Sequence, residues 1–251
     1  MKRYLTAGAA AFVLTLTACG GGSGGGNNTA GVTPPSAPVE NVAAPNNGDW
    51  TQVINETERG YRMGNPDAPV KLVEYASITC PHCGQFATEG GSEGIREFVR
   101  SGRVSWEYRP YMIFPTDPGL FALMRCQGPA SYFQLLDQVY ANQQDWATRG
   151  QTYLQANQAA FERMDVQARA AALVRETGLD AFFRQRGMPQ SRIDQCLADP
   201  RNLQRVADDT QHAIQTDNPP GTPSFYINGQ LQSGVGLWPQ LEPALRTAVG
   251  G

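Results

Sequence analysis

Cys80-Pro81-His82-Cys83 places two thiols one helical turn apart, a spacing suited to passing a disulfide from one molecule to another. In front of it runs Val70-Lys71-Leu72-Val73-Glu74-Tyr75-Ala76, rich in β-formers and bounded by Pro69, which reads as a strand. A strand that ends near Cys80, with Pro81 in the first helical position, sets the Cys80 sulfur among the unpaired N–H groups of a helix N-terminus. The helix dipole, and His82 when its ring is protonated, would stabilise a thiolate there and lower its pKa below the free value of about 8.5. Cys80 is then the attacking and leaving sulfur, and Cys83 the thiol that resolves a mixed disulfide. The other reading of such a pair is half of a zinc site. A tetrahedral site needs more ligands, no second Cys-x-x-Cys or His-x-His follows, and the only other histidine, His212, stands alone. No metal and no cofactor is expected beyond the Cys80–Cys83 disulfide itself.

Elements on both sides must hold this pair. The helix opened at Cys80 meets Gly90-Gly91, which predicts a kink before Ile95, Phe98 and Val99 resume a helical stripe, and Gly102 ends it. From Arg103 to Arg109 apolar Val104, Trp106 and Tyr108 alternate with Ser105 and Glu107, so a second strand follows, parallel to the first. Earlier, Trp50 to Ile54 and Tyr61 to Met63 read as short strand pieces. From about Pro118 the period turns helical, with stripes at Leu120, Leu123 and Met124 and at Phe133, Leu136 and Tyr140. Asp199-Pro200 reads as a cap and first position of a helix whose apolar side is Leu203, Val206, Ala207 and Ile214. After Pro219-Pro220-Gly221-Thr222-Pro223, the Asn228-Gly229 dipeptide between two β-like runs predicts a hairpin, and a final helix spans Trp238 to Ala248.

The N-terminus has a different character. Basic Lys2-Arg3, an apolar run from Ala7 to Leu16 and the small residues before Cys19 predict a cleaved export signal, the run being well short of the roughly 20 residues that span a bilayer. Leu16-Thr17-Ala18-Cys19 resembles the bacterial lipobox, which implies signal removal after residue 18, a lipid on Cys19 and a membrane anchor. Residues 19–48, rich in Gly, Asn and Pro with Glu40 as the only charge, predict a disordered tether reaching about 30 Å. The formal charge of −3 becomes −5 when Lys2 and Arg3 leave, and no basic cluster points to nucleic acid. Five cysteines divide into Cys19 for lipid, Cys80 with Cys83, and Cys126 with Cys196, leaving no free thiol, which suits an oxidising compartment.

Strand, Cys-x-x-Cys helix, strand, helical block, Thr-Pro, hairpin and terminal helix together resemble the thioredoxin fold with a helical insertion. The expected class is therefore α/β, a thioredoxin fold with an inserted all-helical subdomain: 49–115 as its first part, 116–216 as the insertion and 217–251 as its second part. More narrowly, over nearly all of 50–249 the chain resembles the DsbA family of bacterial thiol:disulfide oxidoreductases, in a lipoprotein form. Cys80 to Cys83, Glu74 six positions before the first cysteine, and Thr222-Pro223 ahead of the last hairpin carry the likeness. The resemblance implies that Pro223 is a cis-proline facing the cysteines, that Thr222 offers its backbone to an extended substrate, and that Glu74 is a buried acid taking the Cys83 proton. It implies a monomeric enzyme that oxidises reduced exported proteins in the bacterial periplasm and is reoxidised by a membrane partner like the DsbB quinone reductase. Two features depart from the simplest members: the lipid on Cys19, and Cys126 with Cys196 in the helical block, which would brace the insertion if bridged. An isomerase or reductase using the same centre, and a metal-binding or chaperone lipoprotein, are the competing functions.

Overall fold

A computed structural model describes residues 32–251. The signal, the lipobox, Cys19 and the first part of the tether lie outside the described residues. Six strands form one sheet in the order β1-β2-β4-β3-β5-β6. They are β1 (Ile54–Glu56), β2 (Tyr61–Gly64), β3 (Val70–Ala76), β4 (Val104–Pro110), β5 (Ser224–Ile227) and β6 (Gln230–Leu231). β3 and β4 pair in parallel and every other pairing is antiparallel. Trp50–Gln52, expected to be extended, is instead one 3-10 turn capped by the Asp49 side chain. The hairpin falls where Asn-Gly predicts it, with Asn228 and Gly229 at φ of 50° and 80°, the positive values that such a two-residue turn demands.

Register puts Leu72, Glu74 and Ala76 of β3 on the same face as Trp106, Tyr108, Phe225 and Ile227 of its neighbours. All of these are buried, and each large apolar side chain so enclosed contributes about 2–3 kcal/mol. α1 (Pro81–Phe86) and α2 (Ser92–Arg100) cover part of this face, joined by a π-helical stretch, Ala87–Gly91, where Gly90 takes φ 98°. The kink expected at Gly90-Gly91 is this bulge. Eight further helices follow: α3 (Asp117–Gln127), α4 (Tyr132–Ala141), α5 (Gln143–Phe161), α6 (Val166–Glu176), α7 (Leu179–Arg184), α8 (Gln190–Ala198), α9 (Pro200–Thr216) and, after the hairpin, α10 (Trp238–Val249). The helices α3 to α9 form the insertion. It meets the sheet through aromatic contacts, Trp106 to Phe133 at 4.7 Å and a Tyr61–Tyr132 stack at 3.7 Å.

Two further expectations need correction. Ile214 is 44% exposed, because α9 turns Leu203, Val206, Thr210 and Ala213 inward and carries the buried Asp209 on the same side, where Arg59 and Arg205 pair with it. The tether does not run free to Gly48. Val39 N donates to Val249 O and Val42 N to Ser101 O, each at 2.9 Å, and Trp50 Nε1 donates to Val42 O at 2.7 Å. Gly102 stands beneath this segment at φ 71°, and a Cβ there would come within 2.4 Å of the Val42 carbonyl.

Cys126 and Cys196 are bridged, with Cα atoms 6.4 Å apart, joining the end of α3 to α8 across a separation of 70 residues. The loop length sets the expected cost of losing the bridge at no more than about 4 kcal/mol, by the chain-entropy relation. Cys126→Ala/Cys196→Ala should thus unfold at lower urea in equilibrium melts, while the reactivity of Cys80 stays as it is.

Candidate active site

β3 ends at Ala76, a turn of residues 77–80 follows, and α1 begins at Pro81 with Cys80 as its N-cap, the arrangement expected from the strand-then-proline pattern. Tilted stacking of Phe86 on Phe225, centroids 4.6 Å apart, fixes α1 over β5. The Thr222–Pro223 peptide is cis, and its loop closes over the cysteines so that the Cys80 thiol donates to Thr222 O at 3.2 Å. Cys80, Pro81, His82, Cys83, Thr222 and Pro223 therefore meet at one end of the sheet. Both cysteines are buried thiols, but Cys80 keeps 6% exposure and Cys83 none.

That difference, together with the hydrogen bonding, separates the two sulfurs. The Cys80 thiol is pushed down to about 5, chiefly because the Cys83 thiol donates a hydrogen bond to its anion; burial opposes this, and the Thr222 hydroxyl with the backbone N–H groups of Cys83 and His82 assists. Cys83 is held well above the ordinary thiol value by burial first, then by its bond to Cys80 and the nearby Glu74 charge. One thiol is thus poised as the anion and the other as the proton-bearing donor, as sequential exchange requires.

Glu74 lies in the middle of the buried face, flanked on adjacent strands by Tyr108 and Phe225, and is 3% exposed. It is the buried acid expected, not an exposed strand-end residue. Loss of water pushes its carboxyl up to about 8; the Trp106 Nε1–H, donating at 3.0 Å, pulls it partly back.

His82 is placed differently from expectation. Its side chain is exposed, and the contribution to the Cys80 anion comes from its backbone N–H. Sequence reasoning also missed the Thr222 hydroxyl: it is buried with no other partner to hold it among the described groups, so its O–H can turn to a sulfur that ionises, which favours the anionic form of both. A buried donor acts at low dielectric, whereas an exposed ring is screened by solvent. Thr222→Val is accordingly expected to raise the Cys80 pKa clearly and His82→Leu only slightly, as thiolate absorbance against pH would read. A reversed order would restore the histidine to the role the sequence suggests.

A parallel strand pair, a Cys-x-x-Cys at a helix N-terminus and a cis-proline loop facing it define a thioredoxin-fold thiol protein. The family model described as Thioredoxin matches residues 56–236. The chain belongs to the thioredoxin family. A Rickettsia bellii protein named "Putative protein-disulfide oxidoreductase" is 23% identical over 167 residues, 66% of this chain and 56% of the relative, so the chain spans about half the length of such curated relatives. Among solved structures, a protein-disulfide isomerase from Novosphingobium aromaticivorans is 29% identical with a TM-score of 0.71, over 76% of this chain and 97% of that one. Wolbachia pipientis alpha-DsbA1 is 18% identical with a TM-score of 0.62 over 81% of this chain and 96% of its own, a likeness of fold.

Proposed function

We propose that this protein is an exported thiol:disulfide oxidoreductase that donates its Cys80–Cys83 disulfide to reduced proteins. The observation that carries the reading is Cys80 at the N-terminus of α1, where the Cys83 thiol and the backbone N–H groups of His82 and Cys83 meet its sulfur and favour the anion. Whatever stabilises that anion stabilises the reduced enzyme against its neutral disulfide, and so makes the disulfide an oxidant. In the reaction a substrate thiolate attacks the Cys80 sulfur, the Cys80–Cys83 bond breaks, and the electron pair leaves on Cys83, which takes up a proton. A second substrate thiolate then attacks the substrate sulfur of the mixed disulfide and releases Cys80 as its stable anion. Enzyme and substrate have exchanged two electrons.

Beside Cys80 lies an open cavity of about 720 Å³, bounded by Thr79, Pro81, Phe114, Trp146 and Leu154 and lined by no charged side chain. An uncharged surface of this kind fits an enzyme that accepts many unfolded sequences, the substrate strand lying along the Thr222 backbone. Lipid attachment at Cys19 and recycling by a DsbB-like quinone reductase belong to the same proposal. The docking of 39–42 against Ser101, which precedes β4 at the end of the sheet opposite Cys80, supports it by holding this part of the tether away from the thiols.

Equilibration with glutathione buffers tests the direction of electron flow. An oxidase should show a potential more oxidising than about −180 mV, whereas a value near −270 mV would make it a reductase. The likeness to the Novosphingobium isomerase favours one second reading, disulfide isomerisation. Faster reactivation of scrambled ribonuclease than of reduced ribonuclease would select it.

A further inference from the structure

The turn that presents Cys80 is held by the insertion as well as by the thioredoxin scaffold. Three successive insertion helices each send one polar side chain to residues 77–80. From α3, the wholly buried Asp117 carboxylate accepts from Ser77 Oγ at 3.0 Å, Thr79 N at 3.2 Å and Thr79 Oγ1 at 2.9 Å, and also from the N–H groups of Ile113 and Phe114. From α4, Tyr140 OH donates to Ser77 O at 3.1 Å. From α5, Gln143 Nε2 donates to Ile78 O at 2.7 Å and to Cys80 O at 2.8 Å.

Of the three, Gln143 alone touches Cys80. The carbonyl it holds also accepts the first bond of α1, from Gly84 N at 3.1 Å, so its direction sets the direction of that helical turn. Opposite the amide stands Gly84, where a Cβ would come within 2.3 Å of Gln143 Oε1. Glycine at 84 therefore makes room for the glutamine.

We propose that Gln143 is a positioning residue for Cys80: through it the helical insertion fixes the Cys80 carbonyl, and with it the aim of the His82 and Cys83 N–H groups at the sulfur. This rests on Cys80 being the sulfur that exchanges with substrate in the proposed function. Two substitutions remove the contact by different routes. Gln143→Met keeps the volume and loses the donor, while Gly84→Ala displaces an intact amide. Gln155→Ala, on the cavity wall away from the turn, is the control. The readout is the pH midpoint of alkylation by iodoacetamide in the reduced full chain, measured on the peptide that contains Cys80. Both contact variants should raise the midpoint by about half a unit or more, and the control should leave it where it is. A merely structural role would lower the melting temperature without moving the midpoint, and unchanged midpoints in folded variants overturn the proposal; so does failure of both contact variants to fold. A wild-type midpoint near the ordinary thiol value of about 8.5 would instead overturn the oxidase reading itself, and this proposal with it.

Discussion

Cys83→Ala should accumulate substrates as mixed disulfides on Cys80 and, in the same protein, raise the Cys80 pKa above about 5. The first effect arises in the reverse of the oxidation step: the Cys80 thiolate attacks a substrate disulfide, one substrate sulfur leaves as a thiolate, the other stays bonded to Cys80, and no Cys83 thiol is present to displace it. The second follows because the Cys83 thiol is the largest single stabiliser of the Cys80 anion. Trapping should consequently be efficient at pH 8 and fall off toward pH 6, where the wild-type sulfur is still ionised. Non-reducing electrophoresis of the variant recovered from cells, beside a thiolate titration, reads both. Absence of adducts on a folded, exported variant would remove the dithiol mechanism. The wild-type anion also sets a stability window. Its folded pKa is depressed, so the stabilisation of the reduced form is complete above the unfolded value of about 8.5 and disappears as pH falls through about 5. At pH 7 roughly half of it remains, about 2 kcal/mol after allowance for solvent at the rim. Denaturation should show the reduced form losing about that margin between pH 7 and pH 5, a loss the oxidised form, which has no thiolate, does not share.

Glu74→Gln is expected to make the protein more stable and less active. The carboxyl is buried and raised to about 8. For a group whose folded pKa lies above its unfolded value, stability is complete below about 4.5 and is lost as pH rises toward 8, so the native residue weighs against folding at neutral pH. Its removal should add about 2–3 kcal/mol at pH 7, because a glutamine Oε1 still accepts from Trp106. Glu74→Leu would lack that gain, since it leaves the indole N–H buried and unpaired. The kinetic effect has the opposite sign. Cys83 titrates far above neutrality, and a carboxylate near it with a pKa of about 8 is the group able to take its proton when Cys83 attacks. Resolution of a preformed mixed disulfide should slow by up to about 100-fold at pH 8, the lower end of the range for general-base assistance. Urea melts at pH 5 and pH 7, with stopped-flow resolution at pH 8, measure the two effects separately; a variant with no gain in stability would show that Glu74 is not desolvated as the structure has it.

Both predictions turn on environments that the chain forms at a distance, and this divides what was legible in the amino-acid order from what was not. Val70 to Cys83 declared a strand, a turn and a helix start because β-branched runs, proline at a first helical position and cysteine spacing act over a few neighbouring residues. Asn228-Gly229 and Asp199-Pro200 are local in the same sense, and their turn and cap formed where the sequence put them. Periodicity marked the helices but left their rotation undecided, so Ile214 lies outside while Asp209 lies within. Composition described 32–48 as part of a tether because Pro, Asn and Gly outnumber its valines; what holds it down is backbone hydrogen bonding of 39–42 to Ser101 and Val249, the Trp50 indole on Val42 O, and packing of Val32, Val39 and Ala44 on the core, all set by distant partners. Asp117 and Gln143 carry no local signal in the amino-acid order. Only folding brings them to residues 77–80, across separations of 38 to 65 positions. The order of the residues thus named the reacting sulfurs, while tertiary packing decided how acidic each one is, because desolvation and the aim of hydrogen-bond donors depend on groups far away along the chain.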